Sequence, residues 1–288
     1  MLALLLLTAH LAAASQDTLS PAARRVRADV QFLADDQQEG RGVGTAGLER
    51  AGAYIRDKFR RAGLRVAFQD FTIPPDAPAV LHTNLGGTAT RNVVAIIPGT
   101  SSTYRGEMVV IGAHYDHLGK GGFGALDPDS TGRVHNGADD NASGSAALLE
   151  IGRILAHRRP SRTIVLVAFS GEELGTLGSS YFVNHPRPEP IDSLYAMLNL
   201  DMVGRLRNAR LLALGSATAR EFPALLDSLN TRLGRLFRHR QRRQPQPTLA
   251  PASAAAGTEP LGANGRGNGA YSEAGGAEQV VQAESGAD

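Results

Sequence analysis

The sequence predicts an α/β fold: a mostly parallel mixed β-sheet with helices on both faces. Three observations carry this. Continuous apolar runs at 92–97, 108–113 and 163–169, rich in β-branched residues, have the pattern of strands buried on both faces. Segments with apolar residues at helical spacing precede and separate them. The chain has 288 residues, 42% hydrophobic and 20% charged, enough for one sizeable core with ordinary globular composition. Strands alternating with helices pack as parallel crossovers on either face of one sheet.

Taken in order, the run Leu2-Ala3-Leu4-Leu5-Leu6-Leu7 is too short to cross a bilayer, and small residues Ala12-Ala13-Ala14-Ser15 follow it. Residues 1–15 therefore read as an export signal, which places the mature chain in a secreted or periplasmic setting; an N-terminal anchor is the other reading. Val26, Val30 and Leu33 recur at helical spacing after Ser20-Pro21, and Ala51, Tyr54, Ile55 and Phe59 do so in a second helix that stops at Gly63. A strand is expected over 66–73, closed by Pro74-Pro75, ahead of the runs at 92–97 and 108–113. The Gly-, Asp- and Ser-rich stretch 119–134 reads as a loop able to cover a site.

After Gly144, Ala147, Leu148, Ile151 and Leu155 form a helix face, with Asn141 or Ser143 placed to cap it. Strands follow at 163–169 and 195–200, then an edge strand at 211–214 and a terminal helix over 221–237. From 241 to 288 Gln, Pro, Ala and Gly dominate, too poor in apolar residues to offset ordering entropy, and this tail is expected to be disordered. The folded domain is thus expected over 16–240.

The net charge is +2, with Lys58 and Lys120 the only lysines and arginines dense between Arg232 and Arg243. No aromatic residues interleave that basic run and no nucleic-acid motif accompanies it, so it reads as a solvated helix end and no nucleic-acid partner is expected. Cysteine is absent, which excludes disulfides, thiolate metal sites and a Cys nucleophile. No Gly-x-Ser-x-Gly elbow is present. Gly119-Lys120-Gly121-Gly122-Phe123-Gly124 matches a dinucleotide fingerprint in form, but Asp127-Pro128-Asp129 follows it and not a helix.

Polar residues collect where ligands bind in open α/β sheets, beyond the carboxyl ends of the strands. One strand ends in His114-Tyr115-Asp116, another in Ser170-Gly171-Glu172-Glu173 and a third in Asp201, while Asp140 opens the helix linking the first two. A lone His114 or Asp201 is more often a satisfied polar group, but their co-occurrence at successive strand ends points to one site. His, Asp and Glu without sulfur suit zinc or manganese at a hydrolytic centre. Two ions about 3.5–4 Å apart need a bridging carboxylate, for which Asp140 is short enough and well placed. Asp116 is positioned to orient the His114 imidazole. Of Glu172 and Glu173, one should ligate and the other accept a proton from water. His117 and His135 flank the covering loop within reach of a substrate, although loop histidines are commonly incidental. Asp139 reads as a turn or cap residue. Asn141-Ala142-Ser143 matches a glycosylation sequon in pattern only.

Four segments carry a family resemblance: Gly112-Ala113-His114-Tyr115-Asp116-His117-Leu118-Gly119, Asn136-Gly137-Ala138-Asp139-Asp140-Asn141-Ala142-Ser143-Gly144, Phe169-Ser170-Gly171-Glu172-Glu173 and Asn199-Leu200-Asp201-Met202-Val203-Gly204. With Glu39-Gly40-Arg41, they resemble the secreted bacterial zinc aminopeptidases of the leucyl aminopeptidase type, relatives of glutamate carboxypeptidase and glutaminyl cyclase. The resemblance implies a zinc exopeptidase-like fold and two zinc ions. It implies His114, Asp140 and Asp201 around one ion, Asp140 and Glu173 around the other, Glu172 as general base and Asp116 steadying His114. The expected substrate is a peptide or protein N-terminus, with no membrane partner beyond the N-terminal signal or anchor.

The family's fifth ligand is a downstream His in a Ser-Asp-His type segment, and this sequence departs there. The only His after Asp201 is His239, inside an Arg-rich run, so the second zinc site is incomplete. The catalytic domain is accordingly expected to lack its C-terminal part; a reading frame lost within 235–243 of GC-rich coding DNA would produce such a tail. Two other outcomes stay open: a carboxypeptidase or glutaminyl cyclase with a different pocket, and a catalytically dead remnant that binds zinc or peptides.

Overall fold

The computed structural model describes residues 19–186, 194–206, 211–234, 237–240 and 277–283. The expected signal over 1–15 and most of the tail from 241 lie outside these residues.

The chain opens with α1 (Pro21–Leu33), capped by the Ser20 hydroxyl accepting from the Ala23 amide at 3.2 Å. A tight turn, Asp36–Arg41, leads to α2 (Ala46–Arg61), which the Thr45 hydroxyl caps at the Leu48 amide. Gly63, at φ 83°, supplies the left-handed residue that releases the chain from the helix. Strands β1 (Arg65–Thr72), β2 (Ala89–Ile97) and β3 (Met108–His114) follow. An irregular turn, Ala138–Ser143, enters α3 (Gly144–Ala156), and β4 (Thr163–Phe169) returns through the sheet. Then come α4 (Leu177–Asn184), β5 (Leu194–Asp201), β6 (Leu211–Leu214), α5 (Phe222–Leu233), β7 (Phe237–Arg240) and β8 (Ala277–Ala283).

These strands form one mixed sheet in the order β1-β2-β4-β3-β5-β8-β6-β7. The block that positions the site is parallel: β3 lies between β4 and β5 and runs parallel to both, with His114 opposite Phe169 and Gly112 opposite Asn199. Antiparallel pairs flank it, β1 on β2 and β2 on β4 on one side and β8 on β6 on the other. Side chains alternate across the pleat. Val93, Ala95, Ile111, Ala113, Leu166 and Ala168 face a core closed by Leu33, Ile55, Phe59 and Leu148 of α1, α2 and α3. Val94, Val110, Val165, Val167 and Phe169 face the opposite side, where Phe182 of α4 packs edge-on against Phe169. Helices therefore cover both faces, as the continuous apolar runs predict.

Four elements differ from the expectations. α4 was not anticipated, because Leu177-Gly178-Ser179-Ser180 has weak helix propensity, and burial of Phe182 outweighs it. The expected edge strand at 211–214 is internal, since β8 and β7 flank β6. The expected helix over 221–237 ends at Leu233, where Gly234 takes a left-handed conformation, and Phe237–Arg240 of the basic run is a strand rather than a helix end. Within the stretch expected to be disordered, Ala277–Ala283 pairs with β5 and β6; it is the one part of the tail free of Gly and Pro with two adjacent valines.

Phe59 has no exposed surface and sits over Gly152, at which an added Cβ would lie 2.7 Å from its ring. Phe59→Ala is expected to lower unfolding free energy by about 3–5 kcal/mol with an unchanged urea m value, read from equilibrium denaturation.

Candidate metal centre

Three strand ends bring the donors together. His114 is the last residue of β3 and Asp201 the last of β5, on neighbouring parallel strands. Glu172 and Glu173 follow β4, on the other side of β3. Asp140 sits in the turn ahead of α3, with φ −100° and ψ 99°, outside the helical region, so it belongs to the turn and not to the helix proper. The peptide bond from Asp140 to Asn141 is cis.

Asn141 ties this turn to Asp201. Its side chain accepts from the Gly144 amide at 2.9 Å, capping α3, and donates to the Leu200 carbonyl at 2.9 Å. Ser143, the other expected cap, instead donates to the Asp139 carbonyl. Asp139 acts as a turn residue, accepting from the Gly204 amide at 2.8 Å.

His114 is 2% exposed, and its Nε2 lies 3.1 Å from Asp140 Oδ1, 3.5 Å from Asp201 Oδ1 and 3.8 Å from Glu172 Oε2. Burial alone would disfavour the imidazolium, but the carboxylates of Asp116, Asp140 and Asp201 outweigh it and hold His114 well above its ordinary value. For Asp140 likewise burial raises, yet the hydrogen bond and charge of His114, with His117 and Arg41, bring its carboxyl below the ordinary range. The cluster thus demands positive charge at its centre, and a metal ion answers that demand with the imidazole neutral. Donors at about 2.0–2.1 Å from a tetrahedral zinc stand roughly 3.3 Å apart, which the 3.1 and 3.5 Å separations bracket. His114, Asp140 and Asp201 fit zinc.

Asp116 stands beside His114 and has a second set of partners. The nearest Asp116 atom to His114 Nδ1 is the backbone carbonyl at 3.2 Å, with the carboxylate at 3.7 Å. That carboxylate, fully buried, accepts instead from the amides of Glu172 at 3.2 Å and Glu173 at 3.3 Å. Asp116 thus faces the imidazole with its backbone carbonyl and the acidic pair with its carboxylate. Burial pushes the Glu172 carboxyl up to about 7 against the opposing pull of His114, with Asp116, Glu173 and Asp201 adding to the rise.

Two residues escaped the sequence reading. His117, expected only to flank the covering loop within reach of a substrate, places Nδ1 2.5 Å from Glu173 Oε1, and one of its ring nitrogens groups with carboxylate oxygens of Glu173 and Asp140 within 4.8 Å. A second short His–carboxylate spacing, His117 beside the His114-Tyr115-Asp116 segment, was the available signal. His135 lies apart, its Nε2 3.2 Å from the Ser130 hydroxyl. Arg41 is the other. Its guanidinium, fully buried, donates to the carbonyls of Leu33 at 2.5 Å, Tyr115 at 2.8 Å, Asn136 at 2.7 Å and Gly137 at 2.8 Å. Burial lowers its pKa to about 10, and the fields of Asp116, Asp140 and Glu173 oppose that fall. Glu39-Gly40-Arg41 shares in the family resemblance, but nothing local to it predicts this reach.

Beside Glu173 lies a cavity of about 190 Å³ with apolar walls from Val43, Leu85, Leu118, Phe123 and Leu174. A larger hollow of about 570 Å³ lies between α1, α2 and α3, remote from these donors. Of its charged groups, Arg25 and Arg153 pair with Glu150, and Lys58 pairs with Asp29.

The fold and the donors define a class: an α/β protein with a sulfur-free, carboxylate-rich metal centre at the carboxyl edge of its sheet. The family follows from comparison. Residues 92–247, more than half of the chain, match Peptidase family M28, and the chain belongs to that family. A probable zinc metalloprotease of Pyrenophora teres is 40% identical over 112 residues, 39% of this chain and 22% of that protein. The aminopeptidase YwaD of Bacillus subtilis is 37% identical over 98 residues, 34% of this chain and 18% of its own. The chain thus spans about a fifth of the length of these relatives. A Zn-dependent exopeptidase from Parabacteroides distasonis shares the fold, with a TM-score of 0.58, 22% identity, and coverage of 76% of this chain and 75% of that one.

Two expectations follow. A lysine cannot reach three chain segments with one ammonium, so Arg41→Lys should destabilise the zinc-free fold by about 2–4 kcal/mol in urea denaturation. Glu172, at about 7 when folded against an ordinary 4.5, binds more protons folded than unfolded. Its contribution is present below about pH 4.5 and lost as pH rises through about 7. Its side chain is 36% exposed; with screening, zinc-free wild type should lose about 1–2 kcal/mol relative to Glu172→Gln across that window.

Proposed function

We propose that this chain is a zinc-dependent exopeptidase that releases N-terminal residues from peptides, with Glu172 as the general base. The observation that carries the reading is His114 Nε2 set among Asp140, Asp201 and Glu172 within 3.8 Å, at adjoining strand ends. Membership of a peptidase family supports it. His114, Asp140 and Asp201 would hold one zinc; a second ion would share Asp140 and take Glu173. Bound zinc supplies Lewis-acid activation of water and of the scissile carbonyl.

The residues of the chain then do the rest. Glu172, with its carboxyl raised to about 7, accepts the proton of the attacking water near neutral pH and returns it to the leaving amine. Asp116 fixes where Glu172 and Glu173 point by holding both amides. The cavity walled by Val43, Leu85, Leu118 and Phe123 opens beside Glu173 and suits an apolar side chain of the N-terminal residue. The 2–9 apolar run and the small residues after it support export of the chain. Among the described residues no helix is long and apolar enough to cross a membrane.

The test pairs zinc content with turnover of aminoacyl-anilides. Wild type should bind zinc and hydrolyse leucyl-anilide. Glu172→Gln should retain zinc and lose activity by about 10²–10⁴-fold, whereas Asp140→Asn should lose metal. No zinc and no turnover in wild type, or full activity in both variants, overturns the reading. Cyclisation of N-terminal glutaminyl peptides without anilide turnover would transfer the same site to glutaminyl cyclase chemistry.

A further inference from the structure

We infer that His117 supplies the imidazole of the second metal site, so that both cation sites are complete within the described residues. The inference rests on the zinc-centre reading above and goes beyond it, because sequence matching leaves the second ion one donor short.

The geometry is direct. A ring nitrogen of His117, a Glu173 carboxylate oxygen and an Asp140 carboxylate oxygen lie within 4.8 Å of one another. Each site then has one imidazole and two carboxylates: His114, Asp140 and Asp201 in the first, His117, Asp140 and Glu173 in the second, with Asp140 common to both. The His117–Glu173 pair stands at 2.5 Å as a hydrogen bond, and parting by roughly 0.8 Å would give the donor spacing of bonds near 2.0 Å.

The position of His117 is built, not incidental. Its amide donates to the Arg41 carbonyl at 3.1 Å. Its ring lies against Gly137, where an added Cβ would come within 2.4 Å of the ring and 2.1 Å of the Asp140 carbonyl oxygen. Gly137, at φ 55°, therefore permits both the turn that presents Asp140 and the approach of the ring. The ring is 11% exposed and Glu173 19%, so the site is partly open, as an exchangeable ion with a free coordination position requires.

Charge points the same way. Asp116, Asp140 and Glu173 act on the buried Arg41 guanidinium, and Glu172 and Asp201 belong to the same group of acids. With both imidazoles neutral, one dication leaves this group negative, and a second dication brings it to neutrality. The downstream alternative, His239, stands on β7, three strands from β5 in the sheet order. At about 4.8 Å per strand that is roughly 14 Å from the strand that ends in Asp201.

The test reads metal directly. The full chain, equilibrated with zinc and desalted, is analysed for zinc per chain by native mass spectrometry. Wild type should carry two ions and His117→Ala one, with the retained ion lost in His114→Ala. Because the chain contains no cysteine, His117→Cys loaded with cobalt should gain a thiolate-to-cobalt charge-transfer absorption that cobalt-loaded wild type lacks. Two zinc ions retained in His117→Ala, one ion in wild type that His117→Ala keeps, or no thiolate band in His117→Cys would overturn the assignment of His117. Wild type binding no zinc would overturn the zinc-centre reading itself.

Discussion

A single buried cation holds the centre in shape. Arg41 donates to carbonyls on three separate stretches: the end of α1, the extension of β3 and the turn that carries Asp140. Carbonyl oxygens satisfy its hydrogen bonds but not its charge. The balancing charge comes from Asp116, Asp140 and Glu173, of which Asp140 and Glu173 are candidate metal donors. A buried charge without compensation is expensive, so the clamp and the acidic cluster stabilise each other. Arg41 itself holds φ at 47°, in the left-handed region that a residue with a Cβ rarely takes. The fourfold hydrogen bonding of its side chain offsets that local penalty.

From that constraint the remaining geometry follows. The clamp sets the distance between the β3 end and the Asp140 turn, and Asn141 sets the distance between the same turn and Leu200 at the end of β5. Asp116 fixes the β4 extension through two amides. Three segments are thus joined by bonds from side chain to backbone. The result is a group of acids around His114 whose electrostatic state is unfavourable without a cation. A metal ion held at this cluster would couple to folding through that imbalance, and Glu172 is raised chiefly by its burial, with the neighbouring carboxylates of Asp116, Glu173 and Asp201 adding to the rise.

Much of this was legible in the chain and some was not. The strands at 92–97, 108–113 and 163–169 could be read because burial on both faces writes itself as uninterrupted apolar residues. His114, Asp140, Glu172, Glu173 and Asp201 could be singled out because a strand end is a local feature, and the sheet carries all its parallel ends to one edge. The short helix Leu177–Asn184 could not, since its sequence favours a turn and only Phe182 packing under the sheet makes it helical. β6 reads as an edge in the sequence because pairing with Ala277–Ala283, more than 60 residues downstream, has no local signal.

By itself the sequence determined the layer architecture and the chemical inventory: no cysteine, and His, Asp and Glu at successive strand ends. Hydrophobic periodicity and residue type are local properties, and they suffice for those conclusions. Only the tertiary structure decided which of two neighbouring histidines faces which carboxylate, that the Asp116 carboxylate holds two amides rather than chiefly the imidazole, and that Arg41 lies beneath the centre. Each of these joins groups far apart in the chain, such as Arg41 with Tyr115 and Asn136 or His117 with Glu173. Their partners are set by where whole strands and turns come to rest, which spacing along the chain does not encode.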